Sequence, residues 1–141
     1  MKQEEKELLL KDLCARLPYG VKCKYFDCCE GDYDEGTICG FERQEYIQID
    51  GVCIYIEDVK PYLFPLSSMT EEQKNKCFKG TPLEIDKYGD IAVKDDFFGG
   101  CQYTDLEIYL EVINWLLKNH FDIYGLIPMG LAIDATGLNI Y

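Results

Sequence analysis

Four of the eight cysteines, Cys23, Cys28, Cys29 and Cys39, fall within seventeen residues. Thiols that close could hold zinc, which takes four tetrahedral ligands, usually from repeated C-x₂-C knuckles or paired histidines. Here the gaps are four, none and nine residues, and adjacent Cys28 and Cys29 seldom reach one ion together. The spacing therefore predicts no metal site, with the cysteines serving as small buried hydrophobes or loop thiols. Overlapping them, residues 27–36 read DCCEGDYDEG. Asp32 and Asp34 begin a calcium-loop pattern, but the third ligand and the later bidentate Glu are missing, so a solvated, mobile acidic loop between strands is expected.

His120 is the only histidine, which rules out a multi-His metal site. It stands two residues before Asp122, as a general base and its orienting carboxylate could, yet it also falls at a helix C-terminus, where histidine bonds terminal carbonyls. Trp115 has the ring to stack a base or nucleotide, though at its helical spacing tryptophan is usually core or interface. With Tyr124 these make the candidate binding set: Trp115, His120, Asp122 and Tyr124. No G-x-S-x-G elbow and no phosphate loop occurs. Gly99-Gly100 is a turn whose N–H groups could receive an anion. No catalytic residue, cofactor or metal ligand is assigned.

The element that positions this set is a helix over residues 103–120. At about 100° per residue, Leu106, Tyr109, Leu110, Val112, Ile113, Leu116, Leu117 and His120 form one apolar face, widened by Ile108 and Trp115. Glu107, Glu111, Asn114 and Lys118 are its only polar stripe, so the helix is expected to be covered on most sides and to serve as the core. Thr104 with Glu107 fits a capping box, and Asn119-His120 a last turn.

The remaining chain supplies what packs against it. Residues 4–17 read as an amphipathic helix with Leu9, Leu10, Leu13, Cys14 and Leu17 on one face and Glu4, Glu7, Lys11 and Asp12 outside, stopped by Pro18. Alternation puts Val21, Cys23 and Tyr25 on one face of a strand and both lysines in water. In EYIQIDGVCIYIED, Asp50-Gly51 predicts a type I′ hairpin turn that sets Ile49 opposite Val52, Ile47 opposite Ile54 and Glu45 opposite Ile56. Ile47, Ile49, Val52, Ile54 and Ile56 share the buried face. Tyr46, Gln48, Cys53 and Tyr55 share the other, aromatic enough to be half covered or to form a contact surface. Residues 58–68 should cross the domain as extended chain. Thr70 with Gln73, or Ser68 with Glu71, then caps a helix to about Phe78. Short strands follow at 83–86 and 91–94, a helical turn at 121–127 and a strand at 131–133, and the residues from Ala135 on are expected to fray.

The chain fits one domain of 141 residues, 48% hydrophobic and 13% aromatic, which excludes wholesale disorder. The fold class expected is α+β: a single domain in which an antiparallel β-meander packs against a long C-terminal-half helix and an N-terminal amphipathic helix. With 26 acidic and 14 basic residues the charge is −12, which disfavours direct nucleic-acid binding and anionic membranes. Such acidity keeps a tyrosine-rich protein soluble; the sharper alternative is that carboxylates mimic phosphates on a basic partner. The N-terminus, MKQEEKELLLKDL, lacks signal-peptide character and no run of 18 apolar residues occurs, so a cytoplasmic location is expected.

Three stretches, LLLKDLCARLPYGVK (8–22), VKPYLFPLSSMTEEQ (59–73) and NWLLKNHFDIYGLIPMGLA (114–132), resemble a group of small uncharacterised proteins of Bacteroidales gut bacteria and their phages and mobile elements. The resemblance spans a third to a half of the chain. In that group the third stretch reads like W-L-N-x-H-H-F-D-Y-R-G-L-I, matched here by Trp115, Leu116, His120, Phe121, Asp122, Gly125, Leu126 and Ile127. The chain departs at Asn119, Ile123 and Tyr124, losing one of two histidines and an arginine. The resemblance implies a genomic context and no activity. The first expectation is a non-enzymatic accessory protein that binds a host or phage macromolecule, with a protein as partner. The alternative is a nucleotide-type small-molecule module using Trp115 and Tyr124, and an enzyme comes third.

Overall fold

The structure, a computed structural model, describes residues 1–94 and 106–141. Residues 95–105, where the turn at Gly99-Gly100 and the cap at Thr104 were expected and which include Cys101 and Tyr103, lie outside the described residues.

Helix α1 (Gln3–Arg16) opens where the Glu5 carboxylate accepts the Lys2 N–H at 2.8 Å, and it closes in a 3₁₀ turn, Leu17–Tyr19, that contains Pro18. Its buried residues are Leu9, Asp12, Leu13 and Arg16, spaced i, i+3, i+4 and i+7. This corrects the sequence reading: Asp12 lies inside, Cys14 is exposed, and Leu10 and Leu17 are only half-buried. The face is rotated because Arg16 forks onto Asp12, Nε to Oδ2 at 2.7 Å and Nη2 to Oδ1 at 2.8 Å, with both side chains fully buried. A charged pair that satisfies itself this way can take core positions that either residue alone could not.

A six-stranded sheet runs in the order β4-β3-β2-β1-β5-β8. Its strands are β1 (Lys22–Asp27), β2 (Asp32–Glu42), β3 (Tyr46–Ile49), β4 (Val52–Tyr55), β5 (Val59–Leu63) and β8 (Ile133–Asp134). Neighbours pair antiparallel except β5 and β8, which are parallel. The acidic stretch is no long loop: β1 ends at Asp27, four residues turn, and Asp32 to Gly36 lie in β2. The hairpin keeps the register expected from Asp50-Gly51, with φ of 47° and 91°, Ile49 opposite Val52 and Ile47 opposite Ile54. The Glu45 backbone carbonyl accepts the Ile56 N–H at 2.9 Å. Ile47, Ile49, Ile54 and Ile56 are buried as expected, whereas Val52, at the end of the outermost strand, is exposed. The segment expected to run extended is broken by 3₁₀ turns at Ile56–Asp58 and Leu66–Ser68, on either side of β5.

Two hydrophobic clusters divide the core. The first joins Leu9 and Leu13 of α1 to inward residues of the sheet, Cys23, Tyr25, Ile38, Ile47, Ile49, Val59 and Leu63. The second gathers α2 (Glu71–Phe78), the ribbon of β6 (Leu83–Ile85) and β7 (Ile91–Val93), and α3 (Leu106–Lys118) around Leu66, Phe78, Val112, Leu116 and Phe121. Helix α2 starts at the expected capping box, Thr70 Oγ1 accepting the Gln73 N–H and Gln73 Oε1 the Thr70 N–H. The fold is thus α+β with a meander and the two expected helices, but α3 is not the hub. It buries Val112, Leu116 and Leu117, the first two in the second cluster, and leaves Leu106 and Leu110 exposed. No helix among the described residues is long and apolar enough to cross a membrane.

Candidate functional site

The candidate residues sit where α3 ends. His120 donates its N–H to Leu117 O at 3.1 Å, and Phe121 donates to Leu116 O at 2.9 Å, the paired bonds of a Schellman cap. Such a cap needs a left-handed residue, and His120 supplies it at φ 63°. Glycine usually fills this position, and histidine is among the few side chains enriched there. Leu116 and Phe121, the residues that flank such a cap, are both buried in the second cluster.

After the cap, Asp122 turns the chain. Its Oδ1 accepts the Leu126 N–H and its Oδ2 the Ile127 N–H, both at 2.9 Å, in a buried site. Residues 121–127 are therefore a carboxylate-pinned turn, not the helical turn expected. No hydrogen bond joins the His120 imidazole to these oxygens, so the general-base pair considered from the sequence is not assembled. Phe64 donates to His120 O and accepts from the Asp122 N–H, both at 2.8 Å, which locks the segment beside β5.

Above the cap lies the C-terminal stretch. The His120 imidazole stacks on Tyr141, and the Tyr141 hydroxyl donates to Tyr62 O at 2.9 Å while accepting the Lys22 N–H at 3.1 Å. Ala135 is buried and donates to Leu63 O, so the end expected to fray is tied to the sheet. Beneath the cap, Arg16 Nη2 donates to Phe121 O at 2.6 Å. Arg16 Nη1 and His120 Nδ1 are buried without a hydrogen-bond partner among the described residues. Burial, and next the Arg16 guanidinium, lower the imidazole to about 4, so it is neutral at pH 7. Burial pushes the Asp12 carboxyl above its ordinary range, with the bond to Arg16 opposing.

His120 and Tyr141 line a groove of about 500 Å³ with Phe64, Thr70, Lys118 and Thr136. The other members of the candidate set do not converge on it. Trp115 is half-buried and stacks on Phe121, ring centroids 6.0 Å apart, in the second cluster. Tyr124 packs on the first cluster beneath the Lys11 ammonium, 5.2 Å from its ring centre. At the β1–β2 turn, ligand atoms of Asp27, Cys28 and Cys29 lie within 4.8 Å of one another. That is closer than the adjacent cysteines were expected to come, but among the described residues one donor short of a tetrahedral set, and the Cys29 thiol is raised by its bond to Cys28.

Comparison with known protein families, with curated proteins and with solved structures finds no match. The side of the sheet turned away from α1 offers a different kind of surface. Cross-strand pairing places Lys24, Phe26, Tyr33, Tyr46, Cys53 and Tyr55 there, all exposed or half-exposed. Tyr46 and Tyr55 pack with centroids 4.5 Å apart and join hydroxyls at 2.9 Å; Phe26 meets Tyr33 edge-on at 5.3 Å. These two pairs mark opposite ends of β2, roughly 30 Å apart at the rise of an extended strand. The Tyr46–Tyr55 half is the surface the hairpin pattern anticipated. The Phe26–Tyr33 half was missed, although carrying the alternation of Lys22 and Lys24 one step further would have turned Phe26 outward.

Proposed function

We propose that this protein is a non-enzymatic accessory protein, of phage or mobile-element type, that binds a protein of its host or phage through the uncovered side of its sheet. The observation that carries the reading is the asymmetry of that sheet. Helix α1 covers one side; on the other, Tyr62 is buried beside the C-terminal stretch, but Tyr33, Cys53 and Tyr55 stay exposed and Phe26 and Tyr46 half-exposed. Tyrosine and phenylalanine are what protein interfaces concentrate, because each delivers a large apolar area at little cost in rotamer freedom. The phage or mobile-element context rests on the three stretches that resemble Bacteroidales proteins.

A second reading, a module for a nucleotide-type small molecule, has the His120 groove in its favour. A neutral histidine held in a strained left-handed backbone beside a cavity is the sort of feature that functional sites retain. Purification from cells that make the protein naturally, with mass spectrometry of both proteins and small molecules, separates the two. A recurrent protein partner supports the first reading; a small molecule carried at one per chain, with no protein, overturns it.

A further inference from the structure

We propose that β4 is a docking edge for an extended segment of a partner protein, one whose short apolar stretch is flanked by lysine or arginine. The inference rests on the protein-binding reading above and deepens it. Strand β4 ends the sheet, with β3 on one side and no strand on the other among the described residues. A two-residue turn makes its closing pair a hydrogen-bonded one, so Ile49 and Val52 exchange bonds, and alternation assigns the next bonded pair to Ile47 and Ile54. The N–H and C=O of Cys53 and the N–H of Tyr55 therefore point out of the sheet, while the Tyr55 carbonyl, at the N-cap of the 3₁₀ turn Ile56–Asp58, accepts the first bond of that turn. Four residues make a short edge, yet one with two outward donors and one outward acceptor.

Natural edges are usually protected by lysine, proline, an inward charge or a bulge. Val52, Cys53, Ile54 and Tyr55 carry none of these; the bulge in this part of the sheet lies on β2, between Ile38 and Gly40. Carboxylates outnumber cations around the edge: Asp50 at one end, Glu57 and Asp58 just past the other, and Glu42 within 3.1 Å of the Cys53 thiol, against Arg43 in the groove beside Cys53 and Lys60 beside Glu57 and Asp58. That pattern decides the occupant. Two copies joined at β4 in the register that uses all the outward groups would set Ile54 against its own mate and carry Asp50 toward Asp58 at both ends. Like charges brought together oppose self-pairing. A partner segment with cations at its ends meets those same carboxylates favourably, while its backbone adds a strand.

The test uses the full chain and two synthetic peptides: alternating valine and threonine flanked on each side by lysines, and the same peptide flanked by glutamates. Binding is followed by NMR, with hydrogen exchange read at individual amides. The lysine peptide should slow exchange at Cys53 and Tyr55 and bind at least about tenfold more tightly than the glutamate peptide at low salt. Cys53→Pro removes an N–H that faces outward, so it spares the β3–β4 ladder and should weaken binding about tenfold. Glu57→Lys with Asp58→Lys, which alters no backbone group, should abolish the preference for lysine. Unchanged exchange at the two amides, equal binding of both peptides, or protection of these amides by self-association overturns the proposal. A natural partner whose binding survives Cys53→Pro also overturns the edge, while leaving protein binding itself standing.

Discussion

The His120 imidazole lies flat on the Tyr141 ring, centroids 3.7 Å apart and planes 9° from parallel. A left-handed histidine costs about 1 kcal/mol relative to glycine, and a stacked aromatic pair contributes a comparable amount beyond its buried area. The stack thus offsets the strain and fastens the C-terminal stretch over the end of α3.

The buried imidazole makes stability depend on pH. Its folded value of about 4 lies below the 6.5 of the unfolded chain, so between these values the unfolded state binds the proton more readily. The contribution is fully present above pH 6.5 and is lost as pH falls to 4, by about 3 kcal/mol at 1.36 kcal/mol per unit. His120→Asn tolerates the left-handed backbone and lacks the proton. Denaturation curves at pH 7 and 4.5 should show wild type losing more stability than the variant; equal losses would contradict the assignment.

Removing Asp12 leaves the Arg16 guanidinium buried with, among the described residues, Phe121 O alone to satisfy it. Asp12→Ala should cost about 3–5 kcal/mol in urea denaturation, the range for breaking a buried pair from one side. A surface-like change below about 1 kcal/mol would place the pair in water.

Trp115 tests scaffold against site. Its ring is half-buried against Phe121, so Trp115→Ala should cost about 2–4 kcal/mol, toward the lower end for a large-to-small core change. A fully stable variant that has lost binding would make Trp115 a ligand contact instead.

Gly51 adopts φ 91°, and a Cβ there would meet open space. Gly51→Val should therefore destabilise through backbone strain alone, by at least about 1 kcal/mol, visible as a lower melting temperature. An unchanged melting temperature would show that the turn accommodates a branched side chain.

The parts of the fold legible in sequence are those written in local chemistry. Asp50-Gly51 sets the hairpin register and Thr70 with Gln73 the start of α2, because each acts within a few residues. Asp12 was placed outside, and Arg16 was given no role, for the opposite reason. An i, i+4 ion pair looks identical in sequence whether it is solvated or fully buried, and only the distant Phe121 carbonyl shows which. The role of α3 was overestimated because periodicity counts apolar residues without knowing what covers them, and Leu106 and Leu110 stay exposed. At the candidate site, His120 was placed correctly at the helix end, but its Tyr141 partner lies outside any local pattern. Asp122 proved to be a turn-pinning residue, since which N–H groups a carboxylate reaches is settled only in three dimensions.

The central claim is that the open side of the sheet, rather than the His120 groove, is where this protein meets its partner. It is tested by recovering partners from natural cells with three forms: wild type, Tyr33→Ser with Tyr55→Ser, and Thr136→Trp. Both tyrosines and Thr136 are exposed, so all three forms should fold. The account predicts one protein recovered equally with wild type and Thr136→Trp and at least about tenfold less with the tyrosine variant. Full recovery with the tyrosine variant, or a bound small molecule lost only with Thr136→Trp, would contradict it.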